Sequence, residues 1–187
     1  MSLVRTRRRS APLSPAFTLL ELAVVLFIMG LVMLIALPYF GGMHRSELRS
    51  EALRLASRTN YLYEEAGAQK VLLRLTFSLD ANGYAVTRLD PFAANPQFQL
   101  ETGPAGGAVR FPLGVRLRDV WVEGMGDFRR GTISTQFYPS GAADATVIHL
   151  VDDAGEVLTL AINPYSGRTA IARGDISPGN AGAMFQG

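Results

Sequence analysis

The chain has 187 residues and no cysteine, which excludes a disulfide-based fold and a thiolate site. Its formal charge is +2, from 18 Lys and Arg against 16 Asp and Glu, but four arginines lie in the first nine residues and without them the balance is 14 − 16 = −2. That balance argues against a broad surface for nucleic-acid phosphates, and the sequence lacks phosphate-loop, dinucleotide-binding, serine-hydrolase and zinc-peptidase motifs.

The first distinctive stretch is Phe17–Leu37, which is apolar at nearly every position and carries one charge, Glu21. As a helix, its 21 residues would rise about 31 Å, the thickness of the hydrocarbon core of a bilayer. The four arginines that precede it would keep the N-terminal end in the cytoplasm. The sequence therefore predicts a single membrane-spanning helix, with the C-terminal region on the far side of the membrane.

Glu21 needs an explanation, because a carboxylate in lipid costs about 2.5–3.5 kcal/mol at mid-bilayer. One interpretation is a capping box, since Thr18–Glu21 fits the pattern S/T-x-x-E. The other is a cationic partner within the membrane, such as a free amino group. Ala16 is a small residue directly before the apolar stretch, so cleavage after it would remove the basic leader and create an α-amine at Phe17, close to Glu21.

These residues resemble the N-terminal signature of type IV prepilins and type II secretion pseudopilins. That signature is a small residue, usually Gly, then Phe-Thr-Leu-[Ile/Leu]-Glu and an apolar run. The stretch from Ala16 to Leu22 matches it, with Ala in place of Gly, and Pro38 stands where these proteins commonly carry a proline. The resemblance implies cleavage between Ala16 and Phe17 by a prepilin peptidase and N-methylation of Phe17. It also implies that Glu21 pairs with an N-terminal amine during assembly, so that a cap alone is the less favoured explanation.

A second helical segment follows. Pro38, Gly41 and Gly42 predict a kink. From there to about Gly67 the pattern is that of an amphipathic helix. Its apolar stripe is formed by Leu48, Ala52, Leu55, Leu62 and Ala66. We interpret the stripe as packing against the domain behind it rather than as a groove for a partner.

The rest of the chain alternates short apolar runs with turns rich in Gly, Pro, Asn and Asp, which predicts antiparallel strands. The predicted strands are Leu73–Leu79, Tyr84–Thr87, Val109–Phe111, Val115–Val122, Ile133–Tyr138, Val147–Val151, Val157–Ile162 and Thr169–Ala172. Residues 90–107 are predicted to be a loop with a short strand at Phe98–Leu100, and Trp121 is interpreted as a core anchor rather than an interface residue. The fold class is α+β: a long N-terminal helix, transmembrane in its first half and amphipathic in its second, packed on an antiparallel β domain of two small sheets.

The C-terminal third resembles GspH/FimT-type minor pseudopilins and minor pilins. In these proteins a motif F-x-P-x-G, a hairpin with Gly in its turn and a closing [ST]-G-R strand follow one another. The matching residues are Phe137, Pro139, Gly141, Gly155, Gly167 and Arg168. Each glycine could be an ordinary turn residue, but that does not explain their order behind a prepilin-like leader.

Signs of chemistry are weak. His149 lies in a predicted strand and is interpreted as a satisfied or exposed histidine rather than a general base. Asp152 and Asp153 could suggest calcium, but a hairpin turn is the simpler interpretation, because the oxygen ligands that calcium requires are not visible. We therefore predict no catalytic residue, no cofactor and no metal.

Together these observations predict a minor pseudopilin of a type II secretion system. Its predicted parts are a cleaved leader (1–16), a transmembrane assembly helix (17–40), an amphipathic continuation (41–67), a periplasmic β domain (68–173) and a flexible tail (174–187). The predicted location is the bacterial inner membrane, with a cytoplasmic N-terminus and a periplasmic C-terminal domain. The predicted partners are other pseudopilins or pilins, the prepilin peptidase, membrane lipid and a secreted substrate.

The alternative is a FimT-like minor pilin that takes up DNA. There the last strand resembles Gly-Arg-x-Arg, whereas here Gly167-Arg168-Thr169-Ala170 keeps the first arginine and lacks the second. Arg168 and Arg173 are the candidate nucleic-acid contacts. The net charge of −2 makes DNA the less favoured partner. An unrelated single-span protein with an accidental leader match is the least favoured interpretation.

Overall fold

A computed structural model describes residues 18–186, without the side chains of residues 35–46. It divides into two compact units, residues 1–40 and 41–187. Helix α1 runs from Leu19 to Gln69. The leader, Ala16 and Phe17 lie outside the described residues, as does the side chain of Pro38, so the cleavage site, the methylation site and the kink stay predictions.

In the first unit, the start of α1 has one of the two hydrogen bonds of a capping box, the one between the N-cap side chain and a backbone N–H. The Glu21 N–H donates a hydrogen bond to Thr18 Oγ1 at 3.2 Å, which satisfies one of the free donors of the first turn. The described side chains from Leu19 to Leu34 are exposed in this unit. Among the described residues, no helix meets the length and hydropathy needed to cross a membrane.

In the second unit, the helix is followed by a series of short strands. Within the described residues these are β1 Leu72–Ser78, β2 Gly83–Leu89, β3 Gln99–Leu100, β4 Ala108–Arg110, β5 Val115–Val122, β6 Gly126–Phe128, β7 Thr132–Tyr138, β8 Ala142–Ala143, β9 Thr146–Asp152, β10 Val157–Ile162 and β11 Thr169–Arg173. A 3-10 helix, Pro178–Phe185, follows β11.

The described strands form two antiparallel sheets. Sheet A has the order β3-β2-β1-β7-β8, with β4 also pairing with β2, and sheet B has the order β11-β10-β9-β5-β6. The register of β1 and β2 pairs Ser78 with Gly83 across the predicted turn. This arrangement confirms the predicted fold class, a helix packed on an antiparallel β domain of two small sheets.

The main core lies where the second half of α1 meets both sheets. Its apolar residues come from α1, sheet A and sheet B, and the largest fully buried side chains include Phe77 and Phe137. The predicted stripe of α1 is buried: Leu48, Ala52, Leu55, Leu62 and Ala66. The Oγ1 atoms of Thr135 in β7 and Thr146 in β9 lie 2.6 Å apart, which joins the two sheets through a buried hydrogen bond. The helical spacing of the apolar residues therefore identified the packing face correctly.

Candidate interaction surfaces

The second half of α1 is attached to the end of the β domain through Tyr63. Its hydroxyl lies 2.7 Å from the carbonyl oxygen of Gly141 and 2.9 Å from that of Tyr165. These two carbonyls belong to different turns, one after β7 and the other between β10 and β11. We call Tyr63, Gly141, Tyr165 and Gly167 the Tyr63 clasp, because one helix side chain holds both turns.

The two clasp glycines are required by their geometry. Gly141 has φ +80° and Gly167 has φ +64°, which are left-handed values that glycine adopts without strain. A Cβ on Gly167 would lie 1.9 Å from Cγ of Tyr63. Both glycines belong to the C-terminal motifs of the sequence, and the clasp gives them a shared structural role in this chain.

Two further residues of α1 hold strand β11. The Oγ1 atoms of Thr59 and Thr169 lie 2.6 Å apart, and the N–H of Thr169 donates to Oδ1 of Asn60 at 2.9 Å. Thr59 is completely buried. The helix therefore satisfies the first edge N–H of β11, which no neighbouring strand could satisfy.

The outer face of sheet B carries an ionic cluster whose central pair is buried. A bulge between Leu117 and Asp119 in β5 brings Asp119 opposite His149 in β9. His149 Nδ1 hydrogen-bonds Asp119 Oδ1, and its Nε2 lies 3.1 Å from the carbonyl oxygen of Ile176 and 3.3 Å from Oδ1 of Asp175. Asp119 and His149 are each 4% exposed. His149 is thus a satisfied strand histidine, one of the two outcomes that its pattern predicts.

Arg118 completes this cluster. Its Nε lies 2.6 Å from Oδ2 of Asp119, and one of its terminal nitrogens lies 2.9 Å from Oδ2 of Asp175. Burial alone would raise the pKa of Asp119, but the hydrogen bonds from His149 and Arg118 outweigh it and hold that pKa below its ordinary value. We call Arg118, Asp119, His149 and Asp175 the outer ionic cluster.

Acidification is expected to remove the stabilisation that Asp119 provides. Because its folded pKa lies below the ordinary value of 3.8, the contribution is fully present above that pH and is lost as the pH falls through the folded pKa. At neutral pH, Asp119→Asn should lower the free energy of unfolding by about 1.5–3 kcal/mol, because hydrogen bonds to a charged group are lost. Urea titrations should show that the difference between the wild type and Asp119→Asn shrinks below about pH 4.

A control separates this effect from general acid denaturation. Asp153→Asn changes an exposed turn carboxylate and should differ little from the wild type at any pH. A difference between the wild type and Asp119→Asn that stayed constant down to about pH 2 would contradict the assigned pKa direction.

The C-terminal segment packs on the same outer face. Oγ1 of Thr159 donates to the carbonyl of Gly174 at 2.6 Å and accepts the N–H of Ile176 at 3.1 Å. Ala181 of the 3-10 helix is buried in a small cluster whose other members are Val147, Ala161, Trp121, Met184 and Phe185. A few apolar residues and two backbone anchors therefore hold a segment that lacks a periodic pattern. Trp121 is half-buried under this segment, outside the main core.

The other predicted site residues are dispersed. Arg168 is exposed, and the guanidinium of Arg173 lies 4.0 Å from Glu156. Asp152 serves its hairpin turn, since its carboxylate accepts the N–H of Glu156 at 2.8 Å. Within the part of the chain that the structure describes, no group of three or more acidic, His or Cys side chains could hold a metal ion.

Sequence reasoning did not predict the contacts of the Tyr63 clasp or those of the outer ionic cluster. Tyr63 lies outside the apolar stripe of its helix, and nothing in the local pattern connects it to turns far along the chain. Asp119 and His149 are 30 residues apart, and a bulge, which has no clear sequence signal here, sets their pairing. An unbroken alternation from Val115 and Leu117 would place Asp119 on the core face, away from His149, so the sheet-face pattern does not predict this pair.

Two solved structures of the minor pseudopilin EpsH from the type II secretion system of Vibrio cholerae are similar to this chain. One has a TM-score of 0.56 and 14% sequence identity, and the match covers 70% of this chain and 99% of that one. The other has a TM-score of 0.55 and 15% identity, with 71% and 98% covered. Comparisons with family models and with curated proteins give no match. The chain therefore has the fold of a minor pseudopilin, and this likeness shows the fold alone.

Proposed function

We propose that the chain is a minor pseudopilin, a structural subunit of the periplasmic pseudopilus of a type II secretion system. The observation that carries the proposal is the fold, which matches nearly the whole length of a minor pseudopilin domain. The prepilin-like signature from Ala16 to Leu22 supports it independently, because it lies outside the region that a β-domain fold requires. Both neighbours are named as minor pseudopilins of a secretion system, which favours a role in assembly over catalysis.

In this proposal a prepilin peptidase cleaves between Ala16 and Phe17, and Phe17 is N-methylated. The apolar helix holds the subunit in the inner membrane before assembly and packs among neighbouring helices afterwards. Thr18 supports a specific role for Glu21: it accepts the backbone N–H of Glu21 and leaves the carboxylate for another partner. No described residue forms an ion pair with Glu21, and the amine of a neighbouring subunit would provide one.

The experiment is mass spectrometry of the full-length protein purified from the membrane of its native host. The expected N-terminus is Phe17, carrying one methyl group, and Ala16→Gly should be processed at least as completely. A host without prepilin peptidase is the control, and its protein should start at the original N-terminus. A wild-type protein that retained the leader arginines, or one that had lost the apolar helix, would overturn the proposal.

The two arginines predicted to contact DNA do not favour DNA uptake as a second function. Arg168 stands alone at its turn, and Arg173 lies beside the carboxylate of Glu156. A phosphate backbone needs several unpaired cations along one track. We therefore propose a single function.

A further inference from the structure

A groove of about 680 Å³ lies between α1 and the segment that contains β4. Its charged lining consists of Arg54, Arg58, Arg110 and Glu51, and its apolar lining includes Leu53 and Val109. Three guanidinium groups therefore face one carboxylate. The groove belongs entirely to the second compact unit, residues 41–187.

The carboxylate of Glu51 is already engaged. Glu51 is 6% exposed, and its Oε1 accepts a hydrogen bond from Arg54 at 2.6 Å. Arg58 and Arg110 have no carboxylate within ion-pair distance in the described part of the chain. The groove thus carries positive charge that its own acid does not balance.

Arg58 is the residue whose bonding is incomplete. Its guanidinium carbon lies 5.4 Å from the ring centroid of Tyr84, which is 5% exposed, so the aromatic ring fixes the position of the cation. One terminal nitrogen, Nη1, is buried and has no hydrogen-bond partner among the described residues. A buried N–H without an acceptor is unfavourable, so the guanidinium of Arg58 would be stabilised by a rotation that turns this N–H toward an acceptor in the groove.

We propose that this groove binds an acidic side chain of another protein subunit, with Arg58 as its main contact. A carboxylate matches the planar fork of a guanidinium and can accept two hydrogen bonds from it. Leu53 and Val109 suit the aliphatic stem of a Glu side chain, which a phosphate chain lacks. The identity of the partner as a neighbouring filament subunit rests on the proposed function. In a filament the high effective concentration of neighbours makes even a weak site sufficient.

The test uses the full-length chain in detergent micelles, labelled with ¹⁵N at arginine. The probe is the capped peptide Leu-Glu-Leu, and the matched control peptide is Leu-Gln-Leu. The Glu peptide should shift the side-chain signal of Arg58, which is assigned by its loss in Arg58→Lys, and the shift should saturate. The Gln peptide should bind at least about tenfold more weakly, about 1.4 kcal/mol.

Variants locate the binding. Arg110→Gln, an exposed change at the groove, should weaken binding without affecting the fold. Arg129→Gln removes an arginine whose side chain is 77% exposed and which pairs with Asp127 outside the groove, and it should leave binding unchanged. The absence of a saturable shift, equal binding of the two peptides, or a response to oligothymidine but not to the Glu peptide would each overturn the proposal. The assay needs no filament, so it separates failure of this site from failure of the proposed function.

Discussion

Replacing Gly167 with Ala is expected to lower the free energy of unfolding by about 2–5 kcal/mol. Two costs add. The backbone at Gly167 has φ +64°, where a residue with a Cβ pays about 1–2 kcal/mol. The new methyl group would also lie 1.9 Å from Tyr63 Cγ, and overpacking of this kind costs about 1–3 kcal/mol. Relief of the clash requires Tyr63 to move, which breaks the hydroxyl contacts of the clasp.

Gly155→Ala is a matched control for this prediction. Gly155 has φ +82°, but a Cβ there would meet nothing within 4 Å. This variant should lose only the free energy of unfolding that backbone strain removes, about 1–2 kcal/mol. Urea unfolding of the two variants, followed by circular dichroism, measures both values under the same conditions. If Gly155→Ala and Gly167→Ala lost equal stability, the Tyr63 clasp would have no energetic role.

Glu21→Ala is expected to leave membrane insertion intact and to reduce incorporation into filaments at least tenfold. Removing the charge makes the apolar helix easier to insert. In the proposed filament, however, neighbouring helices would replace lipid, and a buried amine left without its carboxylate would be strongly unfavourable, by about 3–5 kcal/mol for a broken buried pair. Membrane fractionation measures the first quantity. Quantification of the subunit in sheared or affinity-purified filaments measures the second.

Glu47→Ala provides the comparison, because Glu47 is an exposed acidic residue on the same helix. It should insert and assemble like the wild type. Glu21→Gln keeps the shape of the side chain without the charge and should assemble as poorly as Glu21→Ala. Normal incorporation of Glu21→Ala would remove the proposed role of this residue, even if the chain proved to be a pseudopilin by its processing.

The regular strands could be predicted from the sequence because they obey period-2 alternation. The bounds predicted for Val115–Val122 and Val157–Ile162 are those observed. The strands that were missed, Gly126–Phe128 and Ala142–Ala143, are too short to show a period and contain small residues. Their pairing is determined by the longer strands beside them.

The Tyr63 clasp and the outer ionic cluster could not be predicted, and the reason is different. Tyr63, His149 and Asp119 act through partners that are distant in sequence. A single sequence, without related sequences to compare it with, does not reveal such pairs. The turn residue Asn82 illustrates this point. Its sequence context predicts a hairpin turn, but its side chain also accepts the N–H of Leu117 and donates to the carbonyl of Val115, which links the turn to sheet B. The local sequence pattern predicts the turn but not the hydrogen bonds that join it to sheet B.

The Tyr63 clasp also has a consequence for the order of folding. Tyr63 and Tyr165 are 102 residues apart, and Thr59 and Thr169 are 110 residues apart. Contacts of such long sequence separation form late, because the entropy of closing the intervening loop is recovered only after the strands between them have paired. A chain emerging N-terminus first would therefore keep one side of its long helix uncovered until synthesis had passed the last strand. We expect this interval to be when the nascent subunit is most exposed to proteases.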